Sequence, residues 1–144
     1  MAKTQVLFIC TANAARSQMA EGLLRARYGN QYEVYSAGTR QSKVSVQAIA
    51  VMREIGIDIS RHRSKPLDDV SGTTFDLAVT LCDSAHAVCP VVRNAGKTIH
   101  RGFTDPRLVS GSAGTDEEIL DNYRRVRDEI ASWIDATFVG AGVY

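Results

Sequence analysis

The chain opens with an unbroken apolar run, Val6-Leu7-Phe8-Ile9, followed at once by Cys10, and a short run of this kind predicts a strand over 5–9 buried on both faces. From Ser17 the period changes. Ala20, Leu23, Leu24 and Tyr28 recur at helical spacing and predict a helix over 17–28 that ends at Gly29-Asn30. A second strand is predicted over 33–36, stopped by Ala37-Gly38-Thr39. A second helix follows, with Val51, Met52 and Ile55 on its apolar face as far as Gly56. Residues 75–81 give the clearest strand and 97–100 a weaker one. A long final helix over 116–136 carries Ile119, Tyr123, Val126, Ile130, Trp133 and Ile134 as its apolar stripe. Strands alternating with helices predict an α/β fold: a single three-layer domain over 1–138 whose four strands form a parallel sheet with helices on both faces. Residues 139–144, rich in glycine, are predicted to be a mobile tail.

Composition narrows the functional classes. At 144 residues the chain is one domain of ordinary size, able to bury about two thirds of the surface its unfolded form exposes. A formal charge of +1 gives no basic or acidic surface, so neither nucleic acid nor membrane is expected as a partner, and any preference for anions must be local. The apolar run after Met1-Ala2-Lys3-Thr4 is too short for a signal peptide core, and none approaches a membrane span. A cytoplasmic protein is expected. There the three cysteines serve burial, metal binding or catalysis rather than a disulfide framework.

One of those cysteines stands at the most telling place. Cys10-Thr11-Ala12-Asn13-Ala14-Ala15-Arg16-Ser17 connects the first strand to the first helix. A strand, a tight turn of small residues and a helix start aim backbone N–H groups and the helix dipole at one point, which is an oxyanion site. The same field lowers a thiol from ~8.5 to roughly 3.5–7.5, which predicts a thiolate at Cys10. Arg16 adds a planar fork able to grip two oxyanion oxygens. Ser17 is placed to donate to the thiolate. Asn13 is expected to hold the loop in shape from a left-handed conformation. Thr11, Ala12, Asn13, Ala14, Ala15, Arg16 and Ser17 are thus the expected oxyanion-binding residues. The competing reading is a buried strand-end cysteine beside a surface arginine; the strand-turn-helix surroundings favour the cradle.

These residues and their continuation Gln18-Met19-Ala20-Glu21-Gly22, together with Val79-Thr80-Leu81-Cys82, Cys89-Pro90 and Gly102-Phe103-Thr104-Asp105-Pro106, resemble the low-molecular-weight tyrosine phosphatase family over nearly the whole chain. Within it the match is best to the thioredoxin-coupled arsenate reductases. The resemblance implies the phosphatase-like fold and reduction of arsenate to arsenite. It assigns Cys10 as nucleophile, Arg16 as oxyanion ligand and Asp105 as general acid, with Cys82 and then Cys89 as resolving thiols. It further implies a redox-active disulfide between Cys82 and Cys89 that thioredoxin reduces, with no tightly bound cofactor and no metal. Two packed thiols, or a zinc set of Cys82, His86 and Cys89, are the competing readings. If 83–88 is helical, Cys82 and Cys89 stand roughly 10 Å apart along the axis, whereas a disulfide allows ~4.4–6.8 Å between Cα atoms. The segment must then unwind on oxidation.

Asp105 lies between Phe103 and Pro106, and an apolar loop facing an anion predicts a raised carboxyl pKa, suited to proton donation. Some relatives bind potassium behind the loop through residues matching Asn13, Glu21 and Ser36 and an acidic residue near position 65. Here that position is Lys65, and two readings stand: its ammonium reaches Glu21 in place of the ion, so that potassium is not required, or it is an ordinary exposed lysine. His62 has no assigned task. The alternative function is a protein tyrosine phosphatase, which needs only Cys10, Arg16 and Asp105. Weak aryl phosphatase activity is compatible with either reading. Arg107-Leu108-Val109 stands where such phosphatases carry tyrosines.

Overall fold

The computed structural model describes residues 3–81, 92–107 and 115–138. Cys82, Cys89, the 83–88 segment and the 139–144 tail lie outside the described residues. Four parallel strands, β1 (Thr4–Cys10), β2 (Tyr32–Gly38), β3 (Phe75–Thr80) and β4 (Ala95–His100), form one sheet in the order β2-β1-β3-β4. Three helices connect and flank them: α1 (Arg16–Tyr28), α2 (Val46–Arg53) and α3 (Asp116–Thr137).

The unbroken apolar run becomes β1, an inner strand of the sheet, and its alternating side chains feed two cores. Val6 and Phe8 join Leu77 and Val79 of β3 against Met19 and Leu23 of α1, Val51 and Met52 of α2, and Tyr123, Ile130 and Ile134 of α3. Leu7 and Ile9 face the other way, with Ala37, Phe75, Ala78 and Val70. That second face is covered by the one-turn 3-10 helix Leu67–Val70. All three α-helices pack in the first core, so among the described residues this single turn is the helical structure on the second face. Phe8, Trp133 and Phe138 meet edge to face at 5.8–6.5 Å between centroids, locking α3 onto β1.

The predicted second helix runs too far. α2 ends at Arg53, and Ile55 is 38% exposed rather than on the apolar face. The amides of Ile55 and Ile57 both donate to Met52 O, and Gly56 takes φ +80°, so the glycine closes a turn that peels the preceding residues off the helix. Among the described residues no helix is long and apolar enough to cross a membrane.

Candidate active site

The carboxyl ends of β1 and β3 and the loop after β4 meet at one edge of the sheet, where ligands bind in open parallel folds. Leu81 N donates to Ile9 O at 2.8 Å, Arg101 N to Thr80 O at 2.9 Å and Phe103 N to Leu81 O at 3.2 Å. This stitching carries the chain from β4 back across β3 and delivers Asp105 to the loop after β1.

That loop is built from the outside. Each carbonyl from Cys10 to Ala15 accepts a hydrogen bond from surrounding structure: Cys10 O from Thr39 N, Thr11 O from Arg40 N, Ala12 O from Ser64 Oγ, Asn13 O from Gln18 Nε2, Ala14 O from Ser45 N and Ala15 O from Met19 N. In a trans peptide the carbonyl and the next N–H point opposite ways. Carbonyls held outward leave the N–H groups turned inward, toward Cys10. α1 starts at Arg16 with no capping side chain, so its first-turn amides add to that concave face. Gly38 permits the close approach of β2: a Cβ there would lie 2.8 Å from both Asn13 N and Thr11 O.

Asn13 organises the interior. It adopts the expected left-handed conformation, φ +50°, and its Nδ2 donates to Ser17 Oγ at 2.8 Å and Ser36 Oγ at 2.9 Å. Ser36 in turn donates to Glu21 Oε1. Ser17 Oγ is 2.9 Å from Cys10 Sγ. Because Ser17 accepts from Asn13, its own proton is free for the sulfur, and the contact anticipated for a thiolate is in place. Cys10, Asn13 and Ser17 are all buried.

Arg16 is buried, donates to Phe103 O at 3.1 Å and lies 3.6 Å from Asp105 Oδ2. All the expected cradle residues from Cys10 to Ser17, and Asp105, therefore converge. Asp105 departs from expectation in its charge. Burial pushes its carboxyl up, but hydrogen bonds from the Arg107 side chain and backbone, with the charges of Arg16 and Arg107, outweigh burial and hold it below the usual range. Arg107 Nη2 reaches Oδ2 at 2.8 Å, and its Nε and backbone N reach Oδ1 at 3.1 and 3.0 Å. The apolar neighbours Phe103 and Pro106 do not set this carboxyl; the next residue along the chain does.

Lys65 also departs from expectation. Its Nζ donates to Arg63 O at 3.0 Å, and the cation on Glu21 is Arg25, at 2.7 Å. Arg25 stands one turn along α1 from Glu21, which brings its guanidinium over the carboxylate, and Nη2 also donates to Val34 O of β2 at 2.6 Å. Lys65 contributes its backbone instead, N to Asn13 Oδ1 at 2.8 Å. His62 has a place after all: Nδ1 is 2.9 Å from Gln18 Oε1 and Nε2 is 3.2 Å from Arg25 Nη1. Gln18 Nε2 reaches Asn13 Oδ1 at 2.9 Å, so a polar chain runs from His62 to the residue that shapes the loop. Gln18 belongs to the motif that continues from Cys10 to Gly22, whereas His62, Ser64 and Arg107 carry no motif, and only the fold places them here.

A cysteine at the base of a strand-loop-helix anion cradle, with an arginine inside and an aspartate on a facing loop, defines the class. The chain belongs to the low molecular weight phosphotyrosine protein phosphatase family, whose pattern matches residues 5–137. It is 44% identical to an arsenate reductase of Halalkalibacterium halodurans over 99% of both chains. Among solved structures it resembles an arsenate reductase in the phosphate-binding state, at 29% identity and TM-score 0.76 over 92% of this chain and 95% of that one. It also resembles a thioredoxin-dependent arsenate reductase of Corynebacterium glutamicum, at 29% identity and TM-score 0.63 over 93% of this chain and 61% of that one.

Proposed function

We propose that the protein reduces arsenate to arsenite and so serves arsenic detoxification in the cytoplasm. The observation that carries this reading is the convergence of Cys10, Arg16 and Asp105 around one cavity, with Ser17 against the Cys10 sulfur, joined to the chain's 44% identity with a protein of that name. Arsenate, a near-isostere of phosphate, is held by the loop amides and the Arg16 fork. The Cys10 sulfur attacks arsenic, and Asp105 protonates the departing oxygen, which leaves as water. Asp105 first has to take up a proton. The negative charge of a bound oxyanion works in that direction, against the two arginines.

Cys82 then attacks the Cys10 sulfur. The electron pair of the sulfur–arsenic bond passes to arsenic, arsenite leaves, and a disulfide joins Cys10 and Cys82. Cys89 attacks Cys82, frees Cys10, and leaves a Cys82–Cys89 disulfide for thioredoxin to reduce. Potassium is not required in this scheme, because Arg25 already neutralises Glu21 behind the loop. A tyrosine phosphatase would use the same first step and need neither further cysteine.

NADPH consumption with arsenate, thioredoxin and thioredoxin reductase tests this, with an aryl phosphate as control substrate. Multiple turnovers are expected from the native protein and none from Cys89→Ser. Aryl phosphate hydrolysis without arsenate-dependent NADPH oxidation would make it a phosphatase.

A further inference from the structure

Two arginines border the cavity at Cys10, and they are held differently. Arg16 is buried and tied to Phe103 O. The Arg107 side chain is 46% exposed, and among the described residues it grips the Asp105 carboxylate with both Nε and Nη2. Its backbone is anchored by the N–H to Asp105 Oδ1 at 3.0 Å, so the guanidinium has a fixed root and a free reach. Arg107 lines the same cavity as Cys10, Ala12, Arg16 and Asp105, and its guanidinium feels the charges of both Asp105 and Cys10.

That cavity has room for little more than a water molecule. A tetrahedral oxyanion with four oxygens needs more space, and the loop wall is set by the carbonyl contacts that hold Cys10 to Ala15. The exposed Arg107 side chain is the part of the wall able to swing at low cost. An oxyanion beside Cys10 also offers it a better partner than Asp105. A dianion carries more charge than one carboxylate, and a guanidinium fork pairs two of its oxygens at once.

We propose that Arg107 is a second oxyanion-binding guanidinium, for which Asp105 and the bound oxyanion compete. Seen this way, the pairing of Arg107 with Asp105 is one end of an exchange. The other end has Arg107 on the oxyanion and Asp105 released from the fork. Release and the adjacent anion both favour a proton on Asp105, so the group that must donate is readied by the arrival of what it donates to. The role is particular to a chain with arginine directly after Asp105-Pro106. The inference rests on the loop from Cys10 to Ser17 being an oxyanion site.

Orthophosphate binding, measured by titration calorimetry on the full chain, tests it independently of reduction and of Cys82 and Cys89. Removing Arg107 alone would weaken an anion in two ways, by losing a contact and by unmasking Asp105. The comparison is therefore made in an Asp105→Asn background, where nothing remains to mask. Asp105→Asn is expected to bind phosphate more tightly than the native protein, because Arg107 is freed. Adding Arg107→Gln is expected to weaken that affinity about tenfold, the loss of one charge-assisted fork. Arg107→Ala replaces the glutamine variant if that one does not fold. Equal affinity of Asp105→Asn with and without Arg107 would confine Arg107 to screening Asp105 and overturn the proposal. Absence of phosphate binding to the native protein would overturn the oxyanion site itself.

Discussion

Arg25 Nη1 lies 3.2 Å from His62 Nε2, and a guanidinium can only donate, so Nε2 accepts and the ring proton sits on Nδ1, facing Gln18 Oε1. His62 is therefore neutral where it stands. Burial lowers its affinity for a proton and, although Glu21 pulls the other way, Arg25 and Lys65 reinforce the drop. In the unfolded chain the same imidazole takes up a proton at about pH 6.5. Between that value and the lower folded one, the unfolded state binds more protons. The stability contributed by a neutral His62 is thus complete above about pH 6.5 and lost as the pH falls below it. Asp105, also depressed in the folded state, loses its contribution only below the carboxylate range and stays out of this window. The urea midpoint is expected to decline from pH 7 to pH 5.5 in the native protein. The decline should be shallower in His62→Asn, whose amide can still donate to Gln18; identical slopes would remove His62 as its origin. None of this was legible in the sequence, because His62 and Gln18 are 44 positions apart and an isolated histidine announces no partner. Cys10, Arg16 and Ser17 were legible because they are neighbours along the chain and the loop itself brings them together.

Among the elements, those buried on both sides were the easiest to read. β1 presents the unbroken apolar run Val6–Ile9, and β3 is buried at every position but Asp76, because both faces of the sheet are covered there. β4 is an edge strand with Gly96, Lys97 and Thr98 exposed, and its pattern is correspondingly faint. The 3-10 helix Leu67–Val70 is a single turn and too short to show a period. The join between α2 and α3 was likewise hidden, since charged residues carry it. Arg127, buried on α3, donates to Val51 O at 2.8 Å and Glu54 Oε1 at 2.9 Å, satisfying a carbonyl in the last turn of α2. Arg124, one turn earlier, is more exposed and reaches Glu54, Glu117 and Asp121 on the surface. Sequence alone ranks the two arginines equally; their burial does not. Arg127→Met is expected to destabilise the protein by about 1.5–3 kcal/mol in urea unfolding, through loss of the charge-assisted bond to the buried Val51 O and of the bond to Glu54. Arg124→Ala should shift the midpoint much less, as solvated ion pairs do. A reversed order would mean that the surface cluster, not the buried arginine, holds the helices together.

For the molecule as a whole, 17 basic residues against 16 acidic ones leave no long-range field to gather anions. Whatever holds an oxyanion must therefore act at short range, through the loop amides and the fork of Arg16. That loop joins β1, an inner strand, to α1, which packs against both α2 and α3 in the larger core. A ligand bound there exists only with the native state and draws the whole folding equilibrium with it. At a phosphate concentration a hundred times its dissociation constant the gain is about 2.7 kcal/mol. For a chain of this size each kcal/mol moves the unfolding temperature by roughly 2–4 °C, so a rise of about 5–11 °C is expected. Sulfate should act in the same sense, and sodium chloride at matched ionic strength should not reproduce the effect. Arg16→Lys keeps the charge and loses the planar fork, and is expected to forfeit most of the rise. An undiminished rise in that variant, read by differential scanning calorimetry, would place the stabilising phosphate on the general surface and away from Cys10.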